Sequence, residues 1–303
     1  MIQTQHDMKH RLFVALVALI VATNLCAQTD RNVVYRCVRG NLTYTQPVAQ
    51  KESVGKTVGK VFGSVLQAAA GSASSKTNHP EYEEAVKEAI LGGIGSARRI
   101  RMVDMLSVDD LAEDEDAMYC DASISSITST TRIRTWTDKD KKKHEVTEYS
   151  GCIVGTVNLK SVRTGSIVIS KTLNSSSVSS GWCASEDEAL GFAISSLKSY
   201  LRSSVNDAFP LYASIVEGKR ATDKKAKEVY IDLGENWGCY KGQHFDVYTV
   251  KTVAGKEAKK RIGQLKISET MGDDISACKV QSGGADIKLA IEAGETLLIT
   301  SKD

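Results

Sequence analysis

The sequence predicts an α+β protein: an N-terminal α/β domain with a mixed sheet and two amphipathic helices, followed by a small all-β barrel domain. Apolar residues recur every three or four positions in residues 80–94 and 185–208, which predicts two helices with one apolar face each. From residue 229 onward, short stretches alternate apolar and polar residues between glycines, and no helix is predicted among them. A chain of 303 residues is long enough for two such domains.

The N-terminus has the three-part layout of a secretory signal peptide. Basic residues at positions 9–11 precede an apolar stretch over residues 12–21, and small residues lead to a cleavage site before Gln28. The apolar stretch is shorter than the ~20 residues of a membrane-spanning helix. We therefore expect residues 1–27 to be removed and the protein to be exported. A lipid anchor at Cys26 is the alternative, although the three residues before Cys26 do not fit a lipidation motif.

The first predicted domain spans residues 28–215 and alternates strands with the two helices. Pro80 opens the first helix, and Glu81, Glu83 and Glu84 place negative charge in its first turn. The second helix also begins with acidic residues and ends before a Phe-Pro pair. Alternating apolar positions predict strands at residues 33–38, 42–44, 99–104, 119–135, 149–162 and 165–174. The charged turn between the two longest strands is interpreted as solvated.

A glycine-rich insertion occupies residues 46–78 of this domain. Gly55, Gly59 and Gly63 are four residues apart, so a helix here would have a smooth glycine face. Such a face suits close packing against another helix or contact with a membrane. A glycine-rich insertion in a soluble protein is the equally supported alternative.

The barrel is predicted over residues 229–303, after a linker over residues 216–228. The linker prediction rests on the charged stretch 221–227, which has no apolar periodicity. Strands are expected at residues 229–233, 243–248, 262–267, 277–280 and 295–299. Trp237 and Tyr240 are large aromatic residues in the loop after the first of these strands, and residues of this type dominate interface energetics. They are candidate interface residues, and the alternative is that both cover the barrel's own core.

Six cysteines remain after removal of the signal peptide: Cys37, Cys120, Cys152, Cys183, Cys239 and Cys278. An even number in an exported chain predicts disulfides, but six cysteines allow fifteen pairings. Cys239 and Cys278 both lie in the predicted barrel, so they form the candidate disulfide. The sequence has no Cys-x-x-Cys motif and its histidines lack ligand spacing, so no metal site is predicted.

The barrel segment resembles a known domain. A strand ending in Leu233-Gly234 precedes a Gly-x-x-Phe-x-Val-Tyr strand at residues 242–248 and an Ile-Gly-x-Leu-x-Ile strand at residues 262–267. A Gly-Glu-x-Leu element follows at residues 294–297. This order resembles the SH3-like C-terminal domain of the flagellar envelope protein FlgT and its relatives.

The first domain resembles the CsgG/TolB-N domain of curli-secretion lipoproteins and penicillin-binding-protein activators. The matching parts are the strand over residues 97–104, the Val-x-Leu-x-x-Val-x-Thr-Gly element over residues 157–165, and the exit at Phe209-Pro210. The insertion at 46–78 departs from this pattern. The two resemblances imply an envelope accessory protein in the periplasm or at the outer-membrane periphery. Its implied partners are other envelope proteins, while the glycine face of the insertion suits contact with further copies of the chain or with a membrane.

The sequence predicts a binding protein and no enzyme. No serine or cysteine nucleophile has a base at a recognised spacing, the histidines form no constellation, and no phosphate loop is complete. No cofactor or small-molecule substrate is therefore expected. A net charge of +2 gives no concentrated basic face for nucleic acid. Two alternatives remain: an envelope hydrolase whose site is assembled from scattered residues, and a membrane-associated oligomer that uses the Gly55–Gly63 segment.

Overall fold

The computed structural model describes residues 32–45, 75–253 and 256–302. They form two compact units, residues 35–208 and residues 209–302, the second of which includes residues 32–34. Three α-helices and two sheets lie in the described residues, and strands predominate. The predicted α+β class is therefore confirmed. No helix of this part of the chain is long and apolar enough to cross a membrane.

The first unit is built on a mixed six-stranded sheet in the order β3-β1-β4-β5-β6, with β2 paired to β4. β1 runs parallel to both β3 and β4, and the remaining pairs are antiparallel. The strands are β1 (Tyr35–Tyr44), β2 (Ser75–Asn78), β3 (Ile100–Met102), β4 (Ala117–Thr137), β5 (Lys143–Ser161) and β6 (Ile167–Leu173).

Two helices of the first unit, α1 (Glu83–Gly95) and α2 (Glu186–Ala208), pack against each other. Their acidic first turns and apolar faces agree with the prediction, although a 3-10 turn over Pro80–Tyr82 precedes α1. A Cβ atom added to Gly93 would lie 2.9 Å from a backbone oxygen of α2. The absence of a side chain at this position therefore permits the close helix contact.

The predicted insertion is only partly described. Residues 46–74, with the candidate helix-packing residues Gly55, Gly59 and Gly63, lie outside the described residues, as does the predicted signal peptide. The last four residues of the insertion, Ser75–Asn78, form β2 and pair with β4. These four residues are all polar, so the sequence has no alternation that would predict a strand. The strand is defined by its backbone hydrogen bonds to β4.

The second unit is a curled antiparallel sheet in the order β7-β13-β10-β11-β12-β9-β8. Its strands are β7 (Tyr212–Ala213), β8 (Ile215–Ala221), β9 (Ala226–Ile231), β10 (His244–Val253), β11 (Lys256–Thr270), β12 (Ser276–Ser282) and β13 (Leu297–Lys302). Phe245, Val247, Leu265 and Ile267 point into one core from its central strands. The two end strands of this order, β7 and β8, are separated in the chain by Ser214 alone.

The prediction of an all-β second domain is wrong, because a helix, α3 (Gly284–Glu292), packs on this sheet. Ile287 and Ala290 of α3 are buried in the same core as the strands. The segment is only nine residues long and begins at a glycine, so its sequence lacks an extended helical pattern. Tertiary burial of one face stabilises a helix of this length, which would be marginal alone.

The predicted linker over residues 216–228 is also wrong. β8 and β9 form a hairpin here, closed by a turn in which the Thr222 backbone N–H donates to the Lys225 carbonyl at 2.8 Å. β8 is an end strand with exposed side chains, so its sequence shows no apolar alternation. The two units divide between Ala208 and Phe209, ahead of the predicted linker.

Candidate functional site

The two predicted interface residues differ in their surroundings. Trp237 is half-buried at the end of a 3-10 turn and packs against the core of the second unit. Tyr240, three residues later, leaves 54% of its surface exposed. Trp237 thus contributes to the core, whereas the ring of Tyr240 lies at the surface.

Cys239 and Cys278, the predicted disulfide pair, are buried in the same core. The structure shows no disulfide between them. Burial and, to a smaller extent, the neighbouring Cys239 raise the pKa of the Cys278 thiol from 9.0 to about 12. Deep burial therefore keeps Cys278 in the protonated, unreactive form at neutral pH.

A hydrogen-bonded cluster forms around His79, where β2 ends. The imidazole is almost buried, and its Nδ1 atom lies 2.8 Å from Glu81 Oε1. Its Nε2 atom lies 2.9 Å from Ser129 Oγ and 3.0 Å from Glu186 Oε1. The Ser129 hydroxyl also donates to Glu186. We call His79, Glu81, Ser129 and Glu186 the His79 cluster.

A glycine opposite Ser129 allows the cluster to form. Gly151 of β5 pairs with Ser129, and a Cβ atom at Gly151 would lie 2.5 Å from the Ala189 carbonyl oxygen of α2. Without that Cβ, the first turn of α2 can approach the sheet closely. This approach brings the Glu186 carboxylate to the buried Ser129 hydroxyl.

The serine, imidazole and carboxylate of the cluster lie at distances found in a nucleophile–base–acid triad. Ser129, however, has no exposed surface and lies within β4, between β2 and β5. A nucleophile must be reached by its substrate, and this hydroxyl is covered. Glu186 also lies 3.0 Å from Nε2, the ring atom that would have to accept the serine proton.

Both ring nitrogens of His79 have carboxylate partners, Glu81 at Nδ1 and Glu186 at Nε2, and Ser129 donates its hydroxyl proton to Glu186. The hydrogen bond from His79 holds the pKa of Glu81 below its ordinary value. The arrangement therefore joins the end of β2, the middle of β4 and the start of α2.

The sequence predicts no constellation around a histidine, and the His79 cluster contradicts that expectation. His79 and Ser129 are 50 residues apart, and His79 and Glu186 are 107 apart. The only local signal is a histidine directly before the proline that begins a helix. The fold, and no sequence spacing, brings these groups together.

A two-stranded arm extends from the sheet of the first unit. The pairing of β4 with β5 continues from Arg132, which lies opposite Glu148, to Thr137, which lies opposite Lys143. β2 pairs with β4 only as far as Thr131, and contacts on the other side of β5 stop at Tyr149. Residues 132–137 and 143–148 therefore have no third strand beside them within the described residues. We call these two segments the arm.

Aromatic and charged side chains contact one another in series along one face of the arm: Trp182, Arg132, Glu148, Arg134, Trp136 and His144. We call this series the aromatic ladder. The Arg132 guanidinium lies 4.0 Å from the Trp182 ring centre, and the Arg134 guanidinium lies 5.2 Å from that of Trp136. Glu148 bridges the two arginines at 2.6 and 3.0 Å.

The ladder is exposed although its members contact each other. Trp136 keeps 45% and Trp182 keeps 42% of its surface exposed. The Trp136 ring stacks on His144, with ring centres 5.2 Å apart. Such cation–π and stacking contacts hold the rings in place. The ladder therefore offers two tryptophans in fixed orientations.

The tip of the arm is an ordered turn. Asp138 accepts a hydrogen bond from the Lys142 backbone N–H at 2.8 Å and lies 2.7 Å from His144 Nε2. The hydrogen bond to His144 is the main cause that lowers the pKa of Asp138. Lys141 takes a left-handed backbone conformation with φ of 61°. The lysines of this turn are exposed, as the sequence predicted.

The second unit contains a cleft of about 490 Å³ between α3 and the β10–β11 hairpin. Ile262 and Ala290 lie at its apolar side, and Lys251, Lys259 and Lys260 lie along the hairpin side. We call it the α3 cleft. Its volume falls within the range of small-molecule sites, roughly 300–1,000 Å³.

The chain matches no protein-family model and no curated protein. In the described residues, no three histidine, cysteine or acidic side chains are grouped so that they could hold a metal ion. The arm, the His79 cluster and the α3 cleft are therefore judged by their own geometry.

Proposed function

We propose that this chain is an exported, non-catalytic binding protein of the bacterial envelope, acting as an assembly factor for a secretion, flagellar or cell-wall machinery. The arm is its contact element for a partner protein. The signal-peptide layout and the resemblances to CsgG/TolB-N and SH3-like domains support export and the envelope role. In the same proposal, the first unit is a CsgG/TolB-N-like domain and the curled sheet of the second unit is an incomplete SH3-like barrel.

The observation behind the binding role is the exposed aromatic ladder on an unsupported pair of strands. An isolated two-stranded hairpin is only marginally stable in water. Tryptophan and arginine are the residues most enriched where interfaces gain their binding energy. The ladder presents Trp136 and Trp182 with Arg132 and Arg134 between them. A partner that covers the arm would bury these rings and supply the missing support.

An envelope hydrolase is the second candidate, and the His79 cluster is the observation that favours it. The distances from His79 to Ser129 and Glu81 suit proton transfer. The covered hydroxyl of Ser129 favours a structural role instead. A membrane-associated oligomer that uses the Gly55–Gly63 segment is a separate proposal, on residues outside the described part of the chain.

Site-specific photo-cross-linking tests the binding role. A photoreactive phenylalanine analogue replaces Ile133 or Trp136 of the arm in the full chain, expressed in the cells that produce it. Phe192 of α2 is the matched control, since it is also exposed and apolar but lies outside the arm. We expect one discrete cross-linked protein from the arm positions and none from Phe192. The same products from all three positions, or no product, would contradict the proposal.

Export is tested on the same cells by N-terminal sequencing of the mature protein. The expected first residue is Gln28. Sequencing that returns Met1 or Met8 would contradict export, and a lipid-modified Cys26 would assign a membrane anchor.

A further inference from the structure

The outer edge of β5 is covered beside the body of the first unit and uncovered along the arm. Tyr149 pairs with Thr131 of β4 on one side, and on the other side it exchanges two backbone hydrogen bonds with Cys183, at 3.0 and 2.8 Å. Within the described residues, no further residue pairs with this side of β5 between Tyr149 and the tip. The edge of β5 over residues 143–148 therefore has no neighbour in that part of the chain.

The hydrogen bonds of Tyr149 fix the direction of the backbone groups along this edge. In an antiparallel pair, successive residues point their N–H and C=O groups to opposite sides of the strand. β5 keeps its register with β4 throughout the arm. Glu145 and Thr147 therefore direct both backbone groups away from β4, as Tyr149 does. Val146, between them, directs its groups toward β4.

The outward backbone groups of Glu145 and Thr147 accept and donate no backbone hydrogen bond within the described residues. These two residues thus present two N–H and two C=O groups in the spacing of a strand pair. An edge of this kind is a template for an added strand, since the backbone of an extended segment can bond to it whatever its side chains are.

The side chains of this edge add a preference to the backbone pairing. Glu145 is exposed, and in the described part of the chain it forms no ion pair. Val146 is half-buried and lies on the face of the aromatic ladder, opposite Arg134. Because residues directly opposite each other on neighbouring strands interact, a basic residue suits the position opposite Glu145 and an apolar residue the position opposite Val146.

A second copy of the arm does not fit this edge. A symmetric antiparallel pairing centred on Val146 would place Lys143 of the second copy opposite Tyr149, where Cys183 already lies. A pairing centred on Glu145 would place two glutamates directly opposite each other, which is destabilising. The edge therefore suits a segment of a different protein.

We infer that an extended segment of the partner protein adds to the arm as a third strand beside β5. Its backbone bonds to Glu145 and Thr147, and it carries a basic residue opposite Glu145. The inference rests on the proposed role of the arm as the contact element, and it assigns the edge and the manner of contact. The added strand supplies the support that a two-stranded hairpin lacks.

Amide hydrogen exchange of the mature chain, followed by NMR, tests whether the edge is open before the partner binds. The amides of Glu145 and Thr147 should exchange about tenfold faster than those of Val146 and Glu148, which point toward β4. Equal exchange of the four amides would show that the two sides of β5 do not differ, and it would overturn the inference.

Photo-cross-linking from Ile133, in the cells that produce the protein, tests the strand pairing itself. Thr147→Pro removes an outward N–H and keeps the hydrogen bonds to β4, because an edge strand tolerates proline where the N–H faces solvent. It should lower the yield of the cross-linked product about tenfold, whereas the matched variant Thr147→Val, which keeps the N–H, should lower it less than about twofold. Equal yields in the two variants would overturn the inference and leave the arm as the contact element. No product in the parent would contradict the proposed function instead.

A charge reversal tests the preference for a basic residue without a change in the backbone. Glu145→Lys should lower the yield from Ile133 about fivefold. Glu113→Lys is the matched control, because Glu113 is an exposed glutamate outside the arm, and it should leave the yield unchanged. Equal yields in these two variants would overturn the inference. The fluorescence of Trp136 reports the folding of the arm, and Glu145→Lys decides the test if Thr147→Pro unfolds it.

Mass spectrometry of the cross-linked product identifies what occupies the edge. Peptides of a second protein, with a basic residue in the cross-linked segment, would support the inference. A product that contains peptides of this chain alone would assign the edge to a second copy and contradict the inference.

Discussion

Removal of the Glu186 carboxylate should destabilise the first unit strongly. Glu186→Ala leaves His79 Nε2 and the Ser129 hydroxyl without their shared acceptor, and both residues are buried. A buried donor without a partner costs about 1–3 kcal/mol. His79 Nε2 and Ser129 Oγ lie 2.9 Å apart and can still bond to each other, so we expect the free energy of unfolding to fall by about 2 kcal/mol.

Ser129→Ala is the matched variant, because it removes one donor and leaves the contact between His79 and Glu186 intact. Its expected cost is about 1 kcal/mol. In the double variant the orphaned hydroxyl no longer exists, so the two costs should not add. A coupling energy of about 1 kcal/mol or more is expected for residues in one hydrogen-bond network.

Urea unfolding monitored by tryptophan fluorescence measures these costs. Trp136 and Trp182 lie in the first unit, whereas Trp237 lies in the second. A Trp237→Phe background therefore confines the signal to the unit that contains the cluster. The midpoint and the slope with urea are compared for the parent and the three variants.

Two results would refute this explanation of the cluster. An unchanged stability in Glu186→Ala would show that the carboxylate does not hold the buried donors. A hydrolytic activity of the purified protein that Ser129→Ala abolishes, with stability intact, would make the cluster an active site. The non-catalytic function would then be wrong as well.

Three further predictions concern packing and burial. Gly151→Ala should cost about 2 kcal/mol, since its Cβ would lie 2.5 Å from a carbonyl oxygen of α2. Gly191→Ala is the control, because its Cβ would meet open space on α2, and it should stabilise by up to about 1 kcal/mol. Equal effects of the two alanine variants in chemical unfolding would contradict the close packing at Gly151. Burial raises the pKa of Cys37 and Cys278 from 9.0 to about 12. The unfolded chain therefore loses these protons before the folded protein does, so the free energy of unfolding should be constant below pH 9. Between pH 9 and 12 it should fall by about 1.4 kcal/mol per pH unit for each thiol. Unfolding titrations should show a smaller decline in Cys278→Val, and an identical decline would refute this cause. Gln243→Leu should stabilise by about 1 kcal/mol in thermal unfolding, because both amide atoms are buried and have no partner among the described residues. A loss of stability would show that the amide is bonded.

Local patterns determined much of the first unit. The spacing of apolar residues and the acidic first turns predicted α1 and α2, and alternation predicted the long strands β4 and β5. These signals succeed because a helix or strand with one buried face repeats its apolar residues with the period of its backbone. The same patterns predicted the central strands of the second unit, β10 and β11.

Tertiary structure alone decided the elements without such a period and the groups that could act chemically. The strand β8 is charged and exposed, and only its pairing with β9, which also pairs with β12, makes it part of a sheet. The helix α3 is short and gains its stability from burial against the strands. His79, Ser129 and Glu186 meet because Gly151 lets α2 approach β5 closely. Contacts between residues far apart in the chain depend on the packed fold. The periodicity of a sequence indicates only which residues of one helix or strand lie on the same face.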